Sequence, residues 1–348
     1  MNTATKPTKA LSEWPLWEIF VRSKQGLEHK HCGSLHASDA QHALQMARDV
    51  YTRRQEGVSI WVVESNSITA SAPDDKGEFF EPASDKIYRH PTFYTILHLA
   101  DSAIVLGQRN AEWCGHGPII EEDIAMANNS LDLIGQARML YQYAATLKGG
   151  DATEDALAYF RDAQDFKNYT LLELPHHGAL VGYAVDNRDY AVTIVRNFLY
   201  SAFMALVWEK LQASKDEHLA AIAAKSLKEV RYHLRHSHDW LVRFGDGTEE
   251  SHARAQAALN HLMPYTQEFW TTSAFEAAAA AAGVGVDATQ LKADWESMVR
   301  HTVEEATLAL PSTEGFVTTG KHGAHSEHLS FLLNEMQSLA RAHPEGVW

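Results

Sequence analysis

The stretch Lys228–Trp240, KEVRYHLRHSHDW, decides how the rest of the chain is read. Written as a helix, it places residues three apart on one face, aimed at the same point. Carboxylate-bridged di-iron bundles use that spacing: a Glu-x-x-His pair from each of two helices and a lone carboxylate from each of two others. His233 is present here, but the residue three before it is Val230, and Glu229 stands four before it at a different angle. Two readings are open. Either a metal site is built another way, or the helix keeps the shape of a di-iron protein without its ligands.

Outward from this stretch, composition narrows the classes. With 348 residues the chain exceeds one average domain. A net charge of −15 argues against nucleic acid and anionic membrane as partners. Cys32 and Cys114 are far apart, which predicts no disulfide scaffold and fits a reducing cytoplasm. The first ten residues lack the apolar core of a signal peptide, and no run of about 18 apolar residues predicts a membrane span.

In chain order, residues 1–12 read as a polar tail and 13–72 as a small α/β domain. Trp14–Ser23 alternates as a strand, with Trp17, Ile19 and Val21 on one side. Ser38 is expected to cap a helix, with Gln41 completing a capping box, and Gly57 to stop it. Val58–Glu64 reads as a second strand and Ile68–Ser71 as a short third. Residues 73–95, rich in proline and aromatics, read as an extended connector.

From there the period is helical. Helices are expected over Ile96–Cys114, Ile119–Lys148, Thr153–Asn168, Arg188–Ala213, Asp216–Phe244, Glu249–Leu262, Ala274–Ala282, Ala288–Leu310 and Ser326–Ala342. In the second, Ile120, Ile124, Ala127, Leu131, Ile134 and Tyr141 fall on one stripe. An irregular crossover, residues 171–187, separates two pairs of long helices. The fold class is therefore mainly α: a ferritin-like helical bundle, residues 96–348, preceded by a small α/β domain.

The inward positions do not carry a ligand set. Glu112 is placed on the first long helix. The second offers Leu133 and Gln136 where Glu and His are wanted; the fourth offers Val230 and His233. Leucine and valine cannot ligate, and an amide oxygen substitutes poorly for imidazole. The triplets His233, His236, His238 and His322, His325, His328 have helical spacing, but a partly exposed polar face is the simpler reading. Cys32, beside His29 and His31, is read as an inert loop thiol rather than a reactive one. Lys228, Arg231, Arg235, Arg243 and Arg138 suit a phosphorylated ligand such as coenzyme A, yet a solvated face suits them better. No dinucleotide fingerprint, phosphate loop, nucleophile elbow or C-x-x-C occurs.

Several long motifs then carry a resemblance. AEWCGHGPIIEEDIAMAN (Ala111–Asn128), LDLIGQARMLYQYA (Leu131–Ala144), RDAQDFKN (Arg161–Asn168), IVRNFL (Ile194–Leu199), KEVRYHLRHSHDWLVRFGDGTEES (Lys228–Ser251) and EHLSFLLNEMQSLARAHP (Glu327–Pro344) closely resemble the non-catalytic, ferritin-like subunit of the bacterial phenylacetyl-CoA epoxidase complex. Trp14–Glu64 and KGEFFEPASDKIYRHPTFYT (Lys76–Thr95) resemble the small bridging subunit of that complex. The two look fused near Thr95–Leu99, and the likeness spans roughly residues 13–345.

The resemblance implies a structural subunit of a multicomponent monooxygenase of aerobic phenylacetate catabolism. A separate catalytic subunit would hold the di-iron centre and form the ring 1,2-epoxide of phenylacetyl-CoA. An NADPH-dependent reductase with FAD and a 2Fe-2S cluster would supply electrons. No cofactor is expected in this chain, and a higher-order hetero-oligomer is. The catalytic sibling's ligand positions fall on Glu112, Leu133, Gln136, Ser201, Val230 and His233, so most of the set is gone. The rival readings are a self-sufficient di-iron oxygenase with unusual ligands, and a binding module for coenzyme A or the reductase.

Overall fold

In the computed structural model the described residues are 14–25, 27–52, 57–69, 91–177, 188–313 and 315–346. The chain divides into two compact units, residues 1–81 and 82–348.

In the first unit, β1 (Leu16–Arg22) lies between β2 (Lys30–His36) and β3 (Ser59–Glu64), antiparallel to both. Its alternation is the reason for the layer structure. Ile19 and Val21 turn to one face and are buried with Ala47 of α1 (Ala40–Tyr51), and Trp17, Leu35, Tyr51, Ile60 and Val62 close around them. The expected third strand at Ile68–Ser71 is not one at Ile68 and Thr69; residues 70 and 71 lie outside the described residues. The third strand is β2, whose KHCGSLH has neither strict alternation nor β-branched residues. Register slips between Ile19 and Phe20, opposite Gly33 at φ +140°. A Cβ there would also stand 2.6 Å from the Tyr51 hydroxyl, so glycine is required twice over. The cap of α1 is Asp39, not Ser38: its carboxylate accepts the His42 amide at 2.9 Å, and Ser38 hydrogen-bonds Asp39 instead. The helix ends at Tyr51, well before Gly57.

The second unit is helical among the described residues. α2 (Pro91–Ala111) begins inside the expected connector, so residues 91–95 are helix; 73–90 lie outside the described residues. It packs along α3 (Ile120–Lys148). After α4 (Glu154–Tyr159) and the single turn α5 (Thr170–Glu173) comes the expected crossover, of which 178–187 lie outside the described residues. α6 (Tyr190–Leu211) and α7 (Glu217–Gly245) then form the second long pair. Finally α8 (Glu249–Leu262), α9 (Ala274–Ala282), α10 (Lys292–Glu305) and α11 (Glu327–Ala342) complete the body.

α6 is long and apolar enough to cross a membrane by length and composition, yet nearly all of it is buried by its neighbours, as a core helix is. Against it lies an aromatic cluster in which Phe203 stacks on Phe269 at 4.4 Å and Trp295 donates its indole N–H to the Leu199 carbonyl at 3.1 Å. Two expected helices are shorter than predicted. The stretch Thr153–Asn168 is α-helical only at Glu154–Tyr159, because Asp101 takes the Lys167 amide and the Arg161 guanidinium away from helical geometry. Ala288–Leu310 is α-helical only over Lys292–Glu305; Thr307 adopts φ +56° and Leu308 bonds back to Val303. Where α7 ends, a Cβ on Gly245 would come within 1.9 Å of the Ala306 carbonyl, so only glycine lets the two segments cross.

Candidate functional site

The second and fourth long helices, α3 and α7, run antiparallel across the bundle and are joined by three polar contacts at successive levels. Glu122 accepts His236 Nε2 at 2.9 Å, Asp132 accepts His233 Nε2 at 3.0 Å, and Gln136 Nε2 donates to Glu229 at 2.9 Å. Glu122 also accepts the Tyr190 hydroxyl of α6 at 2.7 Å.

This places each expected ligand position. His233 is buried, and its imidazole is engaged by Asp132 rather than aimed at a shared centre. Gln136 is buried and its amide is bound to Glu229. Leu133 and Val230 are buried apolar packing residues. Leu133 Cβ lies 3.3 Å from where a Cβ of Gly107 would be, so α2 and α3 touch there. Ser201 is buried on α6. Glu112 is not on a helix: it sits in the turn that follows α2.

Glu112 instead belongs to a buried polar cluster that sequence reading did not find. Arg109 Nη1 donates to it at 2.6 Å, and His176 Nε2 lies 3.3 Å from its other oxygen. Burial pushes the Glu112 carboxyl up, but the His176 hydrogen bond and the Arg109 charge outweigh it and hold the group at about 2. His176 is fully enclosed. Its Nε2–H donates to the Arg109 carbonyl at 2.8 Å, so Nδ1 is the acceptor, and it takes the Thr193 hydroxyl at 2.6 Å and Arg196 Nη2 at 3.0 Å. Burial drives the imidazole down, against the pull of Glu112, to about 4. Arg196, also fully enclosed, is lowered to about 9 by burial and then by the nearby Arg109. The signal that could have revealed this cluster is a pair of arginines, Arg109 and Arg196, set among apolar neighbours. Their meeting point was hidden, because Arg109 contacts His176 and Glu173 from 67 and 64 positions away along the chain.

The remaining candidates disperse. His238 meets Asp239 and Glu305 at the surface, and His325 bonds Glu173 and the Phe166 carbonyl. Arg138 pairs with Glu154, Arg231 lies 3.7 Å from Glu209, and Arg235 and Arg243 lie over Tyr232 and Trp240. Cys32 is exposed, its thiol bonded to the Lys30 carbonyl. Among the described residues no three His, Cys, Asp or Glu side chains converge as a metal site. A di-iron centre, which needs carboxylates and imidazoles free to face two ions, does not fit this donor set: Leu133 and Val230 are hydrocarbon, Ser201 offers a buried hydroxyl in place of a carboxylate, and Glu112, Gln136 and His233 are bound to other side chains.

Comparison with known proteins gives the family. The description "Phenylacetic acid catabolic protein" matches residues 81–348, and "Phenylacetic acid degradation B" matches residues 13–100. The C-type subunit of the 1,2-phenylacetyl-CoA epoxidase of Escherichia coli (strain K12) is 43% identical over 257 residues, covering 74% of this chain and 98% of that protein. The B-type subunit of the same organism's epoxidase is 66% identical over 83 residues, covering 24% of this chain and 87% of that protein. A crystal structure of a phenylacetate-CoA oxygenase subunit PaaB from Ralstonia eutropha JMP134 is 87% identical, covers 18% of this chain and 100% of that one, and has a TM-score of 0.17. The chain belongs to the phenylacetic acid catabolic protein family, and joins to it, on one polypeptide, a region of the phenylacetic acid degradation B family.

Proposed function

We propose that this chain is a non-catalytic, structural subunit of a multicomponent di-iron monooxygenase that epoxidises the ring of phenylacetyl-CoA in the cytoplasm. Its helical unit packs against a separate catalytic subunit, and its N-terminal unit bridges such pairs into a larger assembly. The observation that carries the reading is the fate of the ligand positions: Leu133 and Val230 are core hydrocarbon, and Glu112, Gln136 and His233 are each bound to a neighbouring side chain. In this reading the iron resides in the catalytic partner, and FAD and a 2Fe-2S cluster in the NADPH-dependent reductase.

A second observation supports a partner. The first half of the apolar stripe of α3 faces outward: Ile120, Ile124 and Leu131 are 69%, 55% and 66% exposed, while Ile134 and Tyr141 further along it pack into the core. An exposed apolar row on a long helix is what a permanent contact between subunits covers. Of the basic residues that would suit coenzyme A, Arg138 and Arg231 pair with carboxylates and Arg235 and Arg243 lie over aromatic rings, which favours the structural role over a ligand-binding one.

The test is co-expression with the catalytic di-iron subunit. We expect stable capture of that subunit, no stoichiometric iron in this chain by elemental analysis, and no turnover of phenylacetyl-CoA by this chain alone. Two iron atoms per chain, or no capture, would overturn the reading.

A further inference from the structure

His98 lies on α2 and is 9% exposed. Its Nδ1 meets the Lys167 carbonyl, in the stretch between α4 and α5. A carbonyl only accepts, so Nδ1 carries the proton and the neutral ring leaves Nε2 as an acceptor. Nε2 is buried and has no hydrogen-bond partner in the protein. The ring lines a cavity that leaves about 40 Å³ to the centres of water-sized molecules. Phe203, Val207 and Leu211 of α6 give it an apolar wall, and Glu276, in the first turn of α9, gives it a carboxylate. Glu276 Oε2 accepts the Ser273 amide at 2.7 Å and Lys321 Nζ at 2.9 Å. Oε1 takes Lys321 Nζ alone, at 3.0 Å, and so keeps a lone pair. His98 and Glu276 are close enough that each shifts the other's titration.

We propose that this cavity is a binding site for a small neutral hydrogen-bond donor, one or two water molecules that donate to His98 Nε2 and to Glu276 Oε1. Chemistry, charge and size select this occupant. Both protein atoms are acceptors, so the ligand must bring the hydrogens. The Glu276 charge is already matched by Lys321, which leaves a cation unpaired and an anion repelled. A water takes about 10–15 Å³ on this measure of volume and a benzene-sized ligand about 150 Å³, so the site admits water and excludes a ring. The bridge completes a chain of polar contacts from the Lys167 carbonyl through His98, water and Glu276 to Lys321, which also reaches the Thr271 carbonyl. It thereby ties α2 to the start of α9 across an otherwise apolar wall, where each unmade hydrogen bond is costly. The site belongs to this chain's own fold and is independent of any catalytic partner.

The experiment is a crystal structure of the full chain, grown and mounted without alcohols or glycols, at a resolution that shows ordered water. One density peak about 2.7–3.2 Å from both His98 Nε2 and Glu276 Oε1, or two such peaks in series between them, is the expected result. A cavity without density, or peaks that touch neither atom, overturns the proposal. Density that appears only after methanol is added assigns the cavity to a small alcohol and overturns the choice of water. His98→Leu removes the acceptor and is expected to lose the peak, whereas His98→Gln keeps an acceptor oxygen and is expected to retain it. A peak that survives His98→Leu overturns His98 as the anchor. The unaltered chain decides the matter even where His98→Leu does not fold: in solution its His98 Nε2 is expected to show the ¹⁵N shift of an unprotonated, hydrogen-bonded nitrogen, and the shift of a bare or a protonated one overturns the bridge.

Discussion

His176 shows what one buried imidazole does to a small polar cluster. Its proton sits on Nε2, fixed by the Arg109 carbonyl, and Nδ1 must stay free to accept from Thr193 and Arg196. Protonating it would break both of those bonds beside two arginines. Its ordinary value of 6.5 falls to about 4 in the folded chain. A depressed imidazole leaves the unfolded chain holding more protons between those values, so stability rises with pH there and is lost as pH falls from 6.5 towards 4. The group's share is at most on the order of 3 kcal/mol. Urea denaturation of the unaltered chain should show its midpoint falling over that window, and His176→Gln should flatten the fall. At Leu133, where α2 and α3 touch, restoring a carboxylate without the rest of a ligand set should be costly. Leu133→Glu is expected to lose roughly 3 kcal/mol or more by the same measurement, because the charge has no partner there.

At the scale of elements, the buried carboxylates Asp101, Glu173 and Glu268 pin the loops to the bundle. Asp101 holds Arg161, the Lys167 amide and the Tyr141 hydroxyl. Glu268 takes the amides of Thr170 and Lys321 and the Thr318 hydroxyl. Glu173 anchors the start of α11 through the Ser326 amide, His325 and Asn168. Burial lowers His325, but Glu173's hydrogen bond and charge outweigh it and leave the imidazole raised. The stability of that contact is therefore full below pH 6.5 and lost as pH climbs through the raised value. Glu173→Gln removes the charge on which the pair depends. It should cost about 2–4 kcal/mol and speed limited proteolysis between α10 and α11, with the rest of the body protected.

These anchors also mark where sequence reading stops. The long helices were legible because their apolar period is sustained; in the structure Asp216, Thr248 and Ser273 cap α7, α8 and α9 where each helix needs an acceptor. β2 was not, since a bulged, polar strand has no period to show. α4 was over-extended because the competition for Arg161 and Lys167 comes from Asp101, sixty and more positions earlier. The vacancies at Leu133 and Val230 were readable as letters. The binding of Glu112 to Arg109 and His176, and its place in a turn, required the fold.

At the scale of the whole molecule, α3 presents opposite faces to different surroundings. Its stripe was visible as a pattern, but a period cannot say how much of it faces inward: Ile120, Ile124 and Leu131 are exposed, whereas Tyr141 at the end of the same stripe is buried with Leu133, Ala137 and Leu140. Ile124 and Leu131 contribute little to the chain's own core. Ile124→Glu with Leu131→Glu should therefore leave stability, measured by denaturation, within about 0.5 kcal/mol of the unaltered chain. The same pair should weaken capture of the catalytic partner at least about tenfold, since charge in a covered apolar contact costs more than about 1.4 kcal/mol. Titration of the immobilised catalytic partner with both chains would measure it.

The two units on one polypeptide also fix an arithmetic. Separately made proteins meet in whatever ratio synthesis and turnover leave them, and an excess of either one yields incomplete assemblies. Here every copy of the B-like region arrives with one copy of the helical region. Any complex built from this chain contains the two in equal number, whatever its expression level.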